Sequence, residues 1–211
     1  MVTEASQIAL SNLRVTDNLQ WYVIPLLIII VYIYNTEMEK GNHEAVYLGI
    51  YWFCICGVVL EIVNALVLYF THHSALWTTP SNSAYIIYVG WNIEIAFLAA
   101  LIGLMNAKAL PEDKNEKIFG IPNRIFLPIM WGIQGVVVEI ILNLAGILVW
   151  EYWFWRWPHI YFILIWWTIP GFVLAWLHDN LNLNNKKKLA GVSALIALCF
   201  HVIFAVILQW V

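Results

Sequence analysis

The stretch AVYLGIYWFCICGVVLEIVNALVLYF, residues 45–70, decides the fold of this chain. It runs for 26 residues with Glu61 as its single charged residue. About 20 consecutive apolar residues in a helix are enough to cross the roughly 30 Å hydrocarbon core of a bilayer. The stretch therefore predicts a helix that spans a membrane and carries a carboxyl group inside it.

Five further apolar stretches, separated by short polar connectors, predict the rest of the architecture. Of the 211 residues, 63% are hydrophobic and 11% are charged, and the mean hydropathy is +0.78. Soluble domains are about half apolar and a quarter charged. We predict an all-α, polytopic integral membrane domain over residues 19–211, preceded by a polar tail, 1–18. Its six transmembrane helices are expected over residues 19–35, 45–70, 84–105, 125–150, 160–177 and 189–210.

The basic residues predict how the chain is oriented. Short loops rich in lysine and arginine remain on the cytoplasmic side. Both termini are therefore expected on the non-cytoplasmic side, because eight of the ten basic residues lie in the first, third and fifth connectors. A formal net charge of -3 gives no reason to expect a nucleic-acid partner. The eight are Lys40, Lys108, Lys114, Lys117, Arg124, Lys186, Lys187 and Lys188.

A weak internal similarity favours a parallel repeat, with the second and third helices duplicated as the fourth and fifth. Residues 57–80 and 135–158 share a Gly-Val-Val-x-Glu-Ile element and, in unchanged spacing, a Trp-x-x-Pro element. The similarity aligns Glu61 with Glu139 and Trp77 with Trp155. Parallel repeats occur in transporters, but apolar sequences also match by chance, so both interpretations stay open.

Four ionisable residues lie inside the apolar stretches and are the candidate catalytic groups: Glu61, Glu94, Glu139 and His201. Each lies about nine to eleven residues from the outer end of its predicted helix, which is about 15 Å at 1.5 Å per residue and near the bilayer midplane. Since no lysine or arginine lies at that depth, burial favours the neutral form of at least one carboxyl group. The alternative is that these groups only hold the helices together through hydrogen bonds.

Six further side chains are candidates for substrate binding. Two are amides predicted to share a helix face with Glu61 or Glu139, since residues three or four apart are neighbours on a helix. Four are indoles, whose rings attract a positive charge. The six are Asn64, Trp91, Asn143, Trp131, Trp166 and Trp167.

Three classes of function fit these residues. The first is an enzyme that performs acid–base chemistry on a lipid or isoprenoid, in which a buried glutamate protonates an alkene or epoxide and tryptophans stabilise the carbocation. This plan is similar in kind to small integral-membrane terpene cyclases and sterol isomerases, although no motif of either family matches residue by residue. The second is a proton- or cation-coupled carrier. Six helices are few for a carrier, an objection that a homodimer would remove. The third is a structural or assembly protein.

Several common chemistries have no signature in the chain. It contains no H-E-x-x-H, C-x-x-C, G-x-S-x-G or glycine-rich phosphate loop. None of the three glutamates has a histidine three residues further on, as in carboxylate-bridged metal sites of helix bundles. We therefore expect neither a metal nor a cofactor.

Overall fold

The computed structural model describes residues 1–80 and 84–211, which form seven helices and three short antiparallel strand pairs. The helices are α1 (Glu4–Ser11), α2 (Val23–Glu39), α3 (His43–Thr71), α4 (Ile93–Ala109), α5 (Asn123–Leu144), α6 (Ile160–Asn180) and α7 (Leu183–Ile207). The strands are β1 (Trp77–Thr78), β2 (Ile86–Tyr88), β3 (Trp91–Asn92), β4 (Lys117–Ile118), β5 (Ile121–Pro122) and β6 (Val149–Trp150).

Four of the described helices, α3, α5, α6 and α7, are long and apolar enough to cross a membrane. Their outer faces expose large apolar side chains, such as Ile141 and Leu195, as expected where lipid is the solvent. The chain is thus a mainly helical integral membrane protein, which confirms the class that the composition predicted. Helices α2 and α4 have 17 residues each, about 25 Å of helix, so the count of six spans stays a prediction.

The predicted third span, 84–105, begins too early. Residues 86–92 form the β2–β3 hairpin, and helix α4 begins only at Ile93, where the Asn92 side chain accepts a hydrogen bond from the backbone N–H of Ile95 at 2.9 Å. Irregular backbone at membrane depth is tolerated where it is buried in protein, because each polar group then has a partner. Hydropathy does not distinguish such a buried apolar hairpin from the start of a span.

The predicted fourth span, 125–150, also extends too far. Helix α5 ends at Leu144, and residues 149–150 form β6, which pairs with β1. In that pair Trp77 lies opposite Trp150. Segments that follow two different helices therefore meet in one short ribbon.

Side chains of the basic connectors lie together at one end of the bundle, which we call the inner end. There Lys108 binds Glu37 at 2.7 Å and Arg124 binds Asp179 at 2.7 Å, while buried Lys186 binds Glu44. These pairs join α2 to α4, α5 to α6, and α3 to α7. Each of the three ion pairs therefore joins two helices at the inner end.

The opposite end, the outer end, carries the tryptophan-rich segments. Residues 72–80, 84–92 and 145–159 lie together there, and the Tyr152 hydroxyl donates to the backbone carbonyl of Ser74 at 3.0 Å. Helix α1 packs on the same surface through a hydrogen bond from the N–H of Thr3 to the carbonyl of His73.

Two helices contain a wide, π-helical turn. In α3 it covers Phe53–Val59 and ends two residues before Glu61, and in α7 it covers His201–Ile207. Such turns change the face on which the following residues lie and are frequent near functional sites. The turn in α3 thus sets the direction of the helix segment that carries Glu61.

Candidate functional site

A cavity of about 300 Å³ lies between α3, α4, α5 and α6. Apolar and aromatic side chains form most of its lining, and carboxyl or amide groups come to it from Glu61, Asn106, Gln134 and Glu139. Glu61 and Glu139 are 8% and 7% exposed. The cavity therefore brings two of the three predicted glutamates together in an apolar environment.

Glu61 is held by a tryptophan from the segment that follows its own helix. The indole N–H of Trp77 donates to Glu61 Oε1 at 3.1 Å and lies 3.2 Å from Oε2. Glu61 lies ten residues before the end of α3, about 15 Å along the axis, so strand β1 must double back into the bundle to reach it.

Glu139 has two indole partners. Trp150 Nε1 donates to Oε2 at 3.1 Å, and Trp167 Nε1 donates to Oε1 at 2.6 Å. Both carboxyl oxygens therefore accept a hydrogen bond from a group that has no acceptor of its own. Glu61, by contrast, has a single indole donor, which its two carboxyl oxygens share.

No cation neutralises these two groups among the residues that the structure describes. Every ion pair of the described chain lies at the inner end, and neither Glu61 nor Glu139 takes part in one. The cavity lining contains no lysine, arginine or histidine in the described ranges. A buried charge without a partner is costly, so these two groups are unusual within the described structure.

All four predicted tryptophans line the cavity. Trp91 packs against Gly57, where an added Cβ would lie 3.3 Å from the indole ring, and Trp167 packs against Gly135. Trp166 stands edge-to-face with Trp77, with ring centroids 5.7 Å apart. The remaining member, Trp131, lies on α5. The glycines allow the rings to approach the helix backbones closely.

The two predicted amides have a different position from the one expected. Asn64 donates to the carbonyl of Trp77 at 2.9 Å and accepts from the N–H groups of Leu76 at 2.8 Å and Trp77 at 3.4 Å. Asn143 donates to the carbonyl of Leu148 at 2.9 Å. Neither lines the cavity. Their amides satisfy the backbone of the two folded-back segments, because that irregular backbone would otherwise lack partners.

Glu94 and His201 lie outside the cavity. Because α4 begins at Ile93, Glu94 occupies its first turn, and it accepts a hydrogen bond from the Tyr22 hydroxyl. His201 Nδ1 lies 2.7 Å from the Tyr88 hydroxyl. Tyr88 in turn stacks on Trp91 with an angle of 10° between the rings, so two aromatic rings separate His201 from the cavity.

Four aromatic or amide side chains of the cavity lining were not among the sequence candidates: Trp52, Trp77, Asn106 and Gln134. Trp77 and Asn106 carry no sequence signal for the cavity, since the first follows a helix and the second lies near the predicted inner end of its span. Gln134 could have been noticed, because it is a polar residue in the middle of an apolar stretch and lies five residues before Glu139.

The cavity has its opening on the side of the bundle. Leu98 and Met105 of α4 and Gln134 of α5 line it, and all three are exposed. No extensive packing contact joins α4 to α5 in the described residues, whereas each packs on another helix, α4 on α3 and α5 on α6. These positions lie within the helices and not at their ends, so the opening is at the side of the bundle.

The proposed repeat receives mixed support from this geometry. Glu61 and Glu139 each accept from a tryptophan of a folded-back segment, and the two tryptophans lie opposite one another in the β1–β6 pair. However, the tryptophan of the folded-back segment that binds Glu139 is Trp150, while Trp155, which the spacing aligned with Trp77, leaves its indole nitrogen without a partner among the described residues. The repeat therefore stays a prediction.

Comparison with known proteins adds a family. A family model described as "Uncharacterized membrane protein family" matches residues 3–208. A protein of Archaeoglobus fulgidus, described as "Uncharacterized protein", is 41% identical over 221 aligned residues that cover all of both chains. No solved structure matches the chain.

Proposed function

This chain belongs to that membrane protein family, and from this premise we propose that it is an intramembrane enzyme that performs acid–base chemistry on a lipid or isoprenoid. The observation that carries the proposal is the pairing of Glu61 and Glu139 in one aromatic cavity that opens towards lipid. Pockets of this kind, apolar with a few convergent polar groups, are typical of small-molecule sites. Glu94 and His201, which lie outside the cavity, have no part in the chemistry that we propose.

The two carboxyl groups have different roles in this proposal. Glu61, with one indole partner, is the acid: its O–H bond breaks as a C–H bond forms on an alkene carbon of the substrate, which leaves a carbocation. Glu139, with two indole donors, is the base: it removes a proton from a neighbouring carbon, and the electrons of that C–H bond form the new double bond. Return of the proton from Glu139 to Glu61 restores the site, and no oxidant is consumed.

The tryptophans lower the energy of the intermediate. Indole rings attract cations through their electron-rich faces, by about 2 kcal/mol or more where water is excluded. Trp91, Trp131, Trp166 and Trp167 all line the cavity. A lining of this kind also keeps water from quenching the carbocation, which favours isomerisation or cyclisation over hydration.

The carrier proposal makes a different demand on the same residues. A carrier needs a polar, water-filled path from the site to a membrane face. The lining is mainly apolar, and the described cavity opens between α4 and α5, so these observations favour the enzyme. One observation favours the carrier: Trp77 and Trp150, which bind the two glutamates, lie opposite one another, as an internal repeat would place them. The experiments below therefore also test a carrier, which would require a homodimer.

The decisive experiment measures deuterium incorporation. The purified protein in lipid nanodiscs is incubated in D₂O with squalene, farnesol or geranylgeraniol, and the recovered isoprenoid is analysed by mass spectrometry. We expect deuterium in the product of the wild type and a loss of at least 100-fold in Glu61→Gln, because general acid catalysis contributes about 10²- to 10⁴-fold.

Glu94→Gln is the matched control, because it makes the same change outside the cavity and should keep full activity. Glu61→Gln should also unfold within about 1 kcal/mol of the wild type, since the amide oxygen still accepts from Trp77. Equal deuterium incorporation by the wild type and Glu61→Gln would overturn the proposal. Cation uptake into proteoliposomes that depends on Glu61, without incorporation, would favour the carrier instead.

A further inference from the structure

Asn106 is a buried amide that faces the cavity without a protein partner. It lies in the last turn of α4, is 8% exposed and lines the cavity. Within the described residues its side chain makes no hydrogen bond with the protein, unlike Asn64 and Asn143, whose amides are satisfied by backbone. Because its amide faces the cavity and is not used by the described part of the protein, it is free to exchange hydrogen bonds with a molecule that enters the cavity.

The cavity is elongated, and Asn106 lies at the end away from the carboxyl groups. Lining residues of α4 run from Ile95 to Asn106, which is about 17 Å along a helix. Glu61 and Trp77 lie beside the start of that helix, since Trp77 packs against Gly90 just before Trp91. A molecule that touches both Asn106 and Glu61 must therefore be about as long as this run of helix.

The lining also limits the charge of such a molecule. It contains no lysine, arginine or histidine among the described residues, so a phosphate or diphosphate would enter without a counter-charge. An amide instead pairs well with a hydroxyl or carbonyl group, to which it offers both a donor and an acceptor. Met105, next to Asn106, is 64% exposed, which places this polar end close to the side opening.

We propose that Asn106 binds an uncharged hydroxyl or carbonyl group at one end of an elongated isoprenoid, whose other end lies between Glu61 and Glu139. This inference deepens the proposed function, on which it rests for the chemistry at the carboxyl end. It names the substrate class: a long, neutral, singly oxygenated isoprenoid that has already lost any phosphate.

The test compares two probes that differ only in their oxygen. Geranylgeraniol and the hydrocarbon with the same carbon chain but no hydroxyl compete for the protein in nanodiscs, and bound molecules are counted by native mass spectrometry. The wild type should prefer the alcohol by about tenfold, the effect expected when a buried polar group gains a partner. Asn106→Leu should bind both probes equally.

Gln134→Leu is the matched control, because it removes an amide from the same cavity at the side opening and should keep the preference. Asn106→Ser, which retains a shorter polar group, serves if the leucine variant does not fold, and it should show a smaller preference than the wild type. Equal binding of the two probes by the wild type, or an unchanged preference in both Asn106 variants, would overturn the inference.

The two proposals fail in different ways. Glu61→Gln should keep the preference for the alcohol while it loses deuterium incorporation. A tenfold preference without any incorporation by the wild type would remove the proposed chemistry and leave the Asn106 site. Incorporation without the preference would remove the Asn106 site and leave the chemistry.

Discussion

The amide of Asn64 satisfies three backbone groups of the segment that brings Trp77 to Glu61. Asn143 does the same for one carbonyl, that of Leu148. From sequence, both amides looked like binding groups beside a glutamate. The residue types and helix faces did not reveal that the following segments fold back and use them, because that contact depends on tertiary structure.

Replacing each asparagine with leucine tests this difference. Leucine has a similar volume but no polar atoms, so the replacement leaves the backbone groups buried and unpaired, at about 1–3 kcal/mol for the first group lost. We expect Asn64→Leu to lower the free energy of unfolding by more than Asn143→Leu, by about 2 kcal/mol. Thermal unfolding in detergent, followed by circular dichroism, measures both. Equal losses would show that the asparagines do not hold the segments as described.

Glu61, Glu139 and the four tryptophans could be predicted as a group because charged and aromatic residues in apolar stretches are conspicuous and costly. Glu94 was predicted with them for the same reason, and its position depended on where the third helix begins. Helix α4 begins at Ile93, nine residues after the predicted start of the span, and Glu94 in its first turn does not line the cavity. Which side chains line the cavity therefore depends on tertiary packing as well as on depth.

The ends of the long helices show why the apolar stretches did not predict the helix boundaries. Residues 84–92 are as apolar as a span, yet they form a hairpin whose backbone is satisfied by the folded-back segments around it. The local signals were present: Gly90 allows close packing against Trp77, and Asn92 is a favoured helix-capping residue. These signals are weaker than hydropathy, so the longer helix was predicted.

At the inner end, Glu37 joins α2 to α4. Lys108, which lies 2.7 Å away, and the amide of Asn42 hold the pKa of Glu37 below its usual value, and Glu37 lies in the last turn of α2, beyond the apolar stretch. A carboxyl group with a lowered pKa stabilises the folded state at neutral pH. That contribution is lost as the pH falls below the unfolded-state pKa, near 4.5, and through the lower folded value.

Glu37→Gln should therefore lower the free energy of unfolding by about 1 kcal/mol at pH 7, because Lys108 is half exposed and its attraction is partly screened. The difference between the variant and the wild type should shrink as the pH is lowered from 5 to 3. Urea unfolding in detergent at several pH values measures it. Glu39→Gln is the control, since Glu39 makes no ion pair among the described residues. A difference that stays constant with pH would rule out the ion pair as its source.

For the whole molecule, the separation of basic and aromatic ends leads to the orientation that we propose, with both termini and the tryptophan-rich segments on the non-cytoplasmic side. Trp153 at the outer end is 61% exposed, and Lys187 at the inner end is also exposed. In intact cells, a membrane-impermeant maleimide should label Trp153→Cys and leave Lys187→Cys unlabelled until the membrane is opened. A variant without Cys54, Cys56 and Cys199 supplies the background. The reverse labelling would invert the orientation.

The wide turn at Phe53–Val59 has a consequence for how α3 could change over time. It separates an inner half, fixed by Trp52 against Gly103, from an outer half that carries Glu61. A residue inserted or deleted at this turn changes the number of residues in the turn. Neither half of the helix then has to shift along the helices that it packs against. The acid could thus have been rotated towards or away from the cavity by small length changes while the anchored half of the same helix kept its register.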